Sequence, residues 1–169
     1  MPIMRLNHAV LYVREVDRSV DFYRRALGFE VVAGIPGRAA FLRADGSTND
    51  HDLGLFAMGD GAGASTAGRM TVGLYHLAWE VDTLGELERI CAILSHEGAL
   101  VGMSDHGTTK ALYGQDPDGL EFEVSWLVPA ALLTGDDTMK TAPLDLAREI
   151  AHYGRDTQGG IGISRVLAP

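Results

Sequence analysis

Two histidines and two glutamates are the residues of this chain whose types and spacing could hold a metal ion. His8 and His76 each occupy the third position of a short apolar segment, and Glu121 and Glu123 alternate with apolar residues in a later one. Two imidazoles and one carboxylate on one side of a metal leave other positions open, which suits non-haem Fe(II) that binds a substrate and O₂ together. The same ligand types fit Mn(II), Ni(II), Co(II) or Zn(II). Spacing alone does not choose between the two glutamates.

An internal repeat is what would bring the two histidines together. The segments Leu6–Val13 and Leu74–Val81 are short, apolar and rich in β-branched and aromatic residues, so each predicts a strand. Each leads into a stretch with apolar residues at helical spacing, over 17–27 in the first half and 84–97 in the second. Three strand-like segments follow each helix, so the chain predicts a βαβββ unit twice. These six segments are Phe29–Ala33, Ala39–Arg43, Asp52–Ala57, Leu100–Met103, Lys110–Gln115 and Leu120–Trp126.

The repeat sets the expected division of the chain. Residues 1–57 are expected to form the first βαβββ module and residues 71–127 the second, with a Gly- and Ala-rich linker over 58–70. Residues 128–169 are expected to form a C-terminal tail with one helix, predicted over Ala142–Ala151 with a proline near its first turn. The predicted fold class is α+β.

Composition and charge exclude several classes of function. The chain has 169 residues, enough for one domain built from two halves, and a net charge of −9 with no basic stretch. These features argue against nucleic acid and anionic membranes as partners. The single cysteine, Cys91, excludes an internal disulfide framework and a multi-cysteine zinc site. No apolar run reaches the roughly 20 residues of a membrane helix, and Met1–Val13 lacks the features of a signal peptide, so a cytoplasmic location is expected.

The repeat and its candidate ligands resemble the vicinal oxygen chelate superfamily, which includes glyoxalase I, extradiol dioxygenases, fosfomycin-resistance enzymes and bleomycin-resistance proteins. The resemblance covers roughly residues 4–126. The segments that carry it are Leu6–Val13, Ser19–Tyr23, Leu27–Phe29, the strand around His76 and the Asp116–Gly119 turn. It implies two βαβββ modules that form a partly open mixed barrel around a metal. It also implies His8, His76 and Glu123 as the ligands, since the family's glutamate lies four residues after the turn glycine.

The segment from His106 to Glu123 is similar to the extradiol ring-cleavage signature. That signature has a histidine, five to seven residues, an aliphatic residue followed by tyrosine, two more residues, an acidic-Pro-x-Gly turn and then the ligand glutamate. The matching positions are His106, Leu112, Tyr113, Asp116, Pro117, Gly119 and Glu123, while Ser104 departs from the pattern. By this resemblance His106 is the acid–base residue for ring opening, and Tyr113 hydrogen-bonds the metal-bound substrate oxygen. His51 is interpreted as a solvated residue at a strand start.

The resemblance implies an Fe(II)-dependent extradiol dioxygenase that cleaves a catechol-like aromatic diol with O₂. Mn(II) or another divalent metal is the alternative cofactor, and a homodimer or higher homo-oligomer is expected. Two alternatives stay open. One is another metal-dependent member, a glyoxalase-like lyase or an epimerase, which is expected to use a fourth protein ligand or a carboxylate base. The other is a metal-free protein that binds a drug or small aromatic molecule, a group that usually lacks the metal ligands.

Overall fold

The chain divides into two compact units. The computed structural model describes residues 3, 5–67, 70–134 and 140–160. Unit 1 comprises residues 1–66 together with 116–120, and unit 2 comprises residues 67–115 together with 121–169. None of the helices in the described ranges has the length and apolar content that crossing a membrane requires. The module boundaries expected at residues 57, 70 and 127 stay a prediction.

Unit 1 is a four-stranded sheet with one helix. Its elements are β1 (Ala9–Val13), α1 (Val16–Leu27), β2 (Glu30–Ile35), β3 (Ala39–Arg43) and β4 (Leu53–Ala57). The strand order is β1-β4-β3-β2, with β1 parallel to β4 and the other pairs antiparallel. Helix α1 buries Phe22, Tyr23 and Ala26 on one face. It ends at Gly28, whose φ of 72° is a conformation that glycine adopts without steric cost.

The two faces of this sheet differ in exposure. Helix α1 packs against β3 and β4, and Leu42 and Leu53 of these strands are fully buried. On the other face, Val10 and Tyr12 of β1 and Phe56 of β4 are exposed. Tyr12 and Phe56 are direct cross-strand partners, so they lie on the same face. Unit 1 therefore has exposed apolar side chains on one face of the two strands that follow His8 and His51 in sequence.

Unit 2 repeats the same βαβββ order and extends it. Its elements are β5 (Leu77–Glu80), α2 (Leu84–His96), β6 (Leu100–Asp105), β7 (Thr109–Gln115), β8 (Glu121–Leu127), a 3₁₀ turn (Ala130–Leu132), β9 (Ala142–Pro143) and α3 (Leu146–Tyr153). The strand order is β5-β8-β7-β6-β9, with β5 parallel to β8. The predicted α+β class, with a tandem βαβββ repeat and a C-terminal helix, is confirmed. That the two sheets together form a partly open barrel around a metal stays a prediction.

The strands after the two candidate histidines are shorter than predicted. Strand β1 begins at Ala9 and β5 at Leu77, so His8 and His76 each immediately precede a strand. In both units this first strand pairs in parallel with the last strand of the βαβββ order, β4 in one unit and β8 in the other. The two histidines thus hold equivalent positions, as the repeat predicts.

The C-terminal helix starts later than predicted. The sequence indicated a helix over 142–151 with Pro143 in its first turn, but Pro143 belongs to β9, which pairs with β6 at the edge of the sheet. An edge strand tolerates proline because no neighbouring strand needs its missing N–H. Helix α3 begins after Asp145, whose side chain accepts a hydrogen bond of 3.0 Å from the Arg148 N–H. Residues 161–169 of the tail lie outside the described residues.

A buried group of charges joins β6, β7 and the C-terminal segment of unit 2, residues 140–160. Lys110 lies between two carboxylates, with its Nζ 2.6 Å from Asp105 Oδ1 and 3.1 Å from Glu149 Oε2. All three residues are almost completely buried. Lys140, which is half exposed, contacts the second oxygen of Asp105 at 2.7 Å. Asp105, Lys110, Lys140 and Glu149 are called the Lys110 cluster below. Moving the C-terminal segment away from the sheet would separate these ion pairs and leave buried charges uncompensated, so the cluster holds the segment in place.

We expect the Asp105 carboxylate to make the stability of the protein sensitive to acid. Burial alone would raise the pKa of Asp105, but hydrogen bonds from Lys110, Lys140 and the Gly107 N–H outweigh it and lower this pKa to about 2. A carboxyl group with a lowered folded pKa stabilises the fold above its unfolded pKa of about 3.9, and this stabilisation is lost as the pH falls toward the folded value. The shift corresponds to about 2 kcal/mol.

Urea unfolding of the wild type and of Asp105→Asn measures this contribution. Between about pH 5 and about pH 2, the free energy of unfolding of the wild type should fall by about 2 kcal/mol more than that of the variant, because the variant has no carboxyl group to protonate at this position. Equal losses in the two proteins would show that Asp105 does not carry the acid sensitivity.

Candidate functional site

His76 and Glu123 lie side by side in unit 2. Strand β8 pairs with β5 so that Glu123 stands beside Ala78, two residues after His76. The Nε2 atom of His76 is 3.1 Å from Oε2 of Glu123, and both side chains are partly buried. Two ligands at right angles on a metal, with bonds of about 2.1 Å, stand about 3.0 Å apart. The observed separation therefore fits a nitrogen and an oxygen that share one metal ion.

The surroundings of this pair leave it able to bind a cation. The Ser125 hydroxyl donates a hydrogen bond of 2.5 Å to Oε1 of Glu123, which orients the carboxylate. The Nδ1 atom of His76 is buried and has no hydrogen-bond partner among the described residues, whereas Nε2 faces the Glu123 carboxylate, which can only accept a hydrogen bond. The ring hydrogen therefore lies on Nε2, and a cation bound there would take its place. An imidazole nitrogen and a carboxylate oxygen are ligands that divalent transition metals accept. The pair therefore fits two of the three positions of the predicted ligand set.

Tyr113 connects this pair to His106 in the same unit. The pairing of β7 with β8 places Tyr113 directly beside Glu123, and its ring centre is 5.7 Å from that of His76. Its hydroxyl oxygen is 2.9 Å from Nε2 of His106. Burial, the charge of Glu123 and the neighbouring Tyr75 raise the pKa of Tyr113 to about 12. The phenol therefore stays protonated at neutral pH and can donate a hydrogen bond.

The main chain of the C-terminal segment fixes the tautomer of His106. This histidine lies in the hairpin turn between β6 and β7, followed by Gly107 at φ 78°. Its Nδ1 is 3.0 Å from the carbonyl oxygen of Lys140, which can only accept a hydrogen bond. Nδ1 therefore carries the hydrogen, and Nε2 of the neutral ring accepts the hydroxyl hydrogen of Tyr113. His106 presents an unprotonated nitrogen to a phenol donor.

His8 lies in unit 1 beside a second histidine. Its Nδ1 is 2.7 Å from the side-chain oxygen of Asn7, which leaves Nε2 of the neutral ring without a hydrogen and able to bind a metal. Its ring centre is 4.5 Å from that of His51, and the His51 ring stands 5.0 Å from Phe41. His51 is half-buried in this contact, whereas the sequence indicated a solvated residue. The two ring planes are inclined by 38°, so unit 1 has a pair of imidazoles in tilted contact.

Four of the five predicted site residues come together in unit 2, namely His76, His106, Tyr113 and Glu123. His8 occupies the equivalent of the His76 position in unit 1. Within the described ranges, neither unit contains three or more His, Cys, Asp or Glu side chains arranged to hold a metal. The complete ligand set of His8, His76 and Glu123 stays a prediction.

The sequence indicated a solvated His51 and did not single out Lys140. His51 precedes β4 by two positions, and β4 is the strand that pairs in parallel with the one after His8. Parallel pairing places the first residues of both strands side by side, so a predicted pairing of these two strands would have indicated that His51 lies near His8. No signal in the sequence pointed to Lys140, whose contact with His106 is made by its main chain.

Comparisons with known proteins agree with this arrangement of elements. Residues 5–124 match the family model described as the Glyoxalase/Bleomycin resistance protein/Dioxygenase superfamily. The chain is 33% identical over 119 residues to a catechol-2,3-dioxygenase of Bacillus subtilis (strain 168), covering 70% of this chain and 40% of that protein. It is 28% identical over 134 residues to a lactoylglutathione lyase of Neisseria meningitidis serogroup A, covering 71% of this chain and 88% of the lyase. The chain therefore spans less than half the length of the dioxygenase relative.

A solved structure gives the same fold. The glyoxylase/bleomycin resistance protein/dioxygenase domain from Frankia sp. EAN1pec superposes with a TM-score of 0.62 at 22% identity, covering 73% of this chain and 92% of that domain. At this identity the likeness shows the fold alone. The family match ends at residue 124, so β9 and α3 lie outside it.

Proposed function

Because the chain belongs to the glyoxalase/bleomycin resistance protein/dioxygenase superfamily, we propose that it is a metal-dependent dioxygenase that cleaves the ring of a catechol-like aromatic diol. The observation that most supports this is the group of side chains in unit 2, where His76 and Glu123 lie beside the phenol of Tyr113 and the imidazole of His106. The proposed metal is Fe(II), with Mn(II) or another divalent ion as the alternative. The proposed ligands are His76, Glu123 and, from its equivalent position before β1, His8.

The number of carboxylates favours ring cleavage over a lyase reaction. In unit 2 the residue two positions after the histidine pairs with Glu123, and in unit 1 the equivalent residue pairs with Gly54. Unit 1 therefore has a glycine where unit 2 has the proposed carboxylate ligand. A lyase or epimerase is expected to use a fourth protein ligand or a carboxylate base, and this position supplies neither. Two histidines and one carboxylate leave open positions for a diol and O₂.

Similarity to a lyase supports a second candidate, a glyoxalase-like lyase. The chain is 28% identical over 134 residues to the lactoylglutathione lyase of Neisseria meningitidis. The same metal ligands could polarise a carbonyl group instead of holding a diol with O₂. This candidate is separated from the first by whether turnover consumes O₂.

The side chains around the proposed ligands have defined proton positions. A bound divalent metal would supply a Lewis-acidic centre for the diol oxygens and O₂. Tyr113, protonated because its pKa is about 12, donates its hydrogen to Nε2 of His106 and accepts a hydrogen bond from a hydroxyl group of the diol beside Glu123. When the phenol receives a proton from the diol, it passes its own to Nε2 of His106. His106 thus acts as a general base through Tyr113, and later returns the proton as an acid.

His51 adds a second imidazole to the proposed chemistry. Its ring centre lies 4.5 Å from that of His8, one of the proposed ligands. Both ring nitrogens of His106 already have hydrogen-bond partners, Lys140 and Tyr113. We therefore include His51 as a second residue able to exchange a proton with the bound substrate.

Oxygen uptake tests the proposed function directly. The protein is loaded with Fe(II) under anaerobic conditions, a panel of catechols is added, and O₂ consumption is followed together with the yellow ring-opened product. Uptake of one O₂ for each diol cleaved is the expected result. Isomerisation of the glutathione–methylglyoxal adduct without O₂ uptake would replace it with the lyase. Tight binding of unaltered aromatic molecules by protein that takes up no metal would indicate a binding protein.

A further inference from the structure

We propose that Lys140, at the start of the C-terminal segment (residues 140–160), is the residue that positions His106. The inference rests on the proposed function, in which His106 exchanges a proton through Tyr113. The segment lies beyond residue 124, where the match to the family model ends. The family match alone therefore gives no reason to expect this part of the chain at the site.

Main-chain groups of Lys140 contact His106 at two points. The carbonyl oxygen of Lys140 is 3.0 Å from Nδ1 of the imidazole, and its N–H donates to the carbonyl oxygen of His106 at 3.4 Å. The Thr141 hydroxyl lies 3.5 Å from the same Nδ1. Because these contacts select the tautomer with hydrogen on Nδ1, they leave Nε2 as the acceptor for Tyr113. Without them the proton could occupy either nitrogen.

The side chain of Lys140 anchors these main-chain contacts. Its Nζ is 2.7 Å from Oδ2 of Asp105, the residue directly before His106. The other oxygen of Asp105 accepts a hydrogen bond of 2.9 Å from the N–H of Gly107, the residue directly after His106. Charge-assisted hydrogen bonds to a buried carboxylate are stronger than neutral ones. The carboxylate of Asp105 therefore binds both Gly107, on the other side of His106, and Lys140, whose carbonyl oxygen contacts the imidazole.

The rest of the segment is fixed on the same sheet. Glu149 of α3 completes the Lys110 cluster at 3.1 Å from Lys110 Nζ. The indole N–H of Trp126 donates a hydrogen bond of 3.1 Å to the carbonyl oxygen of Thr157. Strand β9 pairs with β6 at Ser104 and Asp105, directly before His106. The segment is thus held by charge and by main-chain contacts, which sets the carbonyl of Lys140 against the imidazole.

Three variants of the full chain separate positioning from general packing. Lys140→Met removes the ammonium group and keeps most of the stem, while Lys140→Arg restores a cation. Arg155→Met is the matched control, because Arg155 belongs to the same segment, has an exposed fraction of 55% against 50% for Lys140, and pairs with Glu88 of α2. The first readout is the tautomer of His106, measured by two-bond ¹H–¹⁵N NMR on the metal-free protein and assigned with His106→Gln. The second is kcat and KM of the Fe(II)-loaded protein with its best diol.

We expect Lys140→Met to lower the share of the Nδ1–H tautomer and to reduce kcat on the order of tenfold with little change in KM. Lys140→Arg should restore both, and Arg155→Met should match the wild type. A wild-type tautomer and kcat in Lys140→Met would overturn the proposal. So would equal losses of kcat and thermal midpoint in Lys140→Met and Arg155→Met. If the tautomer shifts as expected but the wild type consumes no O₂ with any diol, the positioning role stands and the proposed function fails.

Discussion

Glu123→Gln loses metal binding, whereas Glu121→Gln keeps it. We expect this contrast because Oε2 of Glu123 lies 3.1 Å from the His76 nitrogen, whereas Glu121, on the same strand and face, pairs with Gln115. A neutral amide is a weaker ligand than a carboxylate, so the metal affinity should fall by about 100-fold or more. His76→Ala should lose metal in the same way. Metal content after anaerobic loading and gel filtration measures the effect, and circular dichroism checks the fold.

The matched glutamate variant makes this result decisive. Glu121 and Glu123 are two residues apart, and both side chains are only partly exposed, so a general effect of removing a carboxylate would appear in both variants. Unchanged metal stoichiometry in Glu123→Gln and His76→Ala would exclude the pair as ligands. Loss of metal in Glu121→Gln alone would move the carboxylate ligand to that residue.

His106→Gln keeps metal and diol binding but loses most of the turnover. Glutamine can still hydrogen-bond the Tyr113 hydroxyl but cannot take up its proton, so kcat should fall by about 10²- to 10⁴-fold, the usual contribution of general acid–base catalysis. Metal content, anaerobic titration with diol, and steady-state O₂ uptake measure the three properties separately.

The companion variant His51→Gln tests which imidazole transfers the proton. His51 contacts the ring of His8, whereas His106 acts only through Tyr113 in our assignment. A larger loss of kcat in His51→Gln than in His106→Gln would assign the proton transfer to His51. Loss of metal in His106→Gln would make His106 a ligand and would contradict the role given to it here.

The repeated fold could be predicted because its signals are local. Apolar residues at helical spacing and the stop at Gly28 define α1, and alternating residues define strands such as β8. Strand ends were predicted less well, since they depend on the partner. Strand β1 begins at Ala9 because its pairing with β4 begins there, at Leu53. Pro143 was placed in a helix because the sequence does not show that a neighbouring strand, β6, is available to pair with it.

The candidate site was also predicted only where local signals in the sequence point to it. The spacing to the Asp116–Gly119 turn selects Glu123 by resemblance, and strand pairing then places Tyr113 beside it. The environment of His51 depends instead on the loop before it, which folds back because the carboxylate of Asp52 accepts hydrogen bonds from Ala44, Ser47 and Asn49. Such a network leaves no periodic pattern in the sequence. The contact of Lys140 with His106 joins residues 34 positions apart and likewise has no local signal.

The Lys110 cluster bears on where this protein can be cut. A fragment that ended where the family match ends, at residue 124, would keep Asp105 and Lys110 but lose Glu149 and Lys140. Such a fragment would leave Lys110 without Glu149 and would expose to water the part of unit 2 that α3 covers. A fragment that keeps this fold therefore extends to about residue 160, well beyond residue 124, where the family match ends. Fusion partners and affinity tags are best placed after that point.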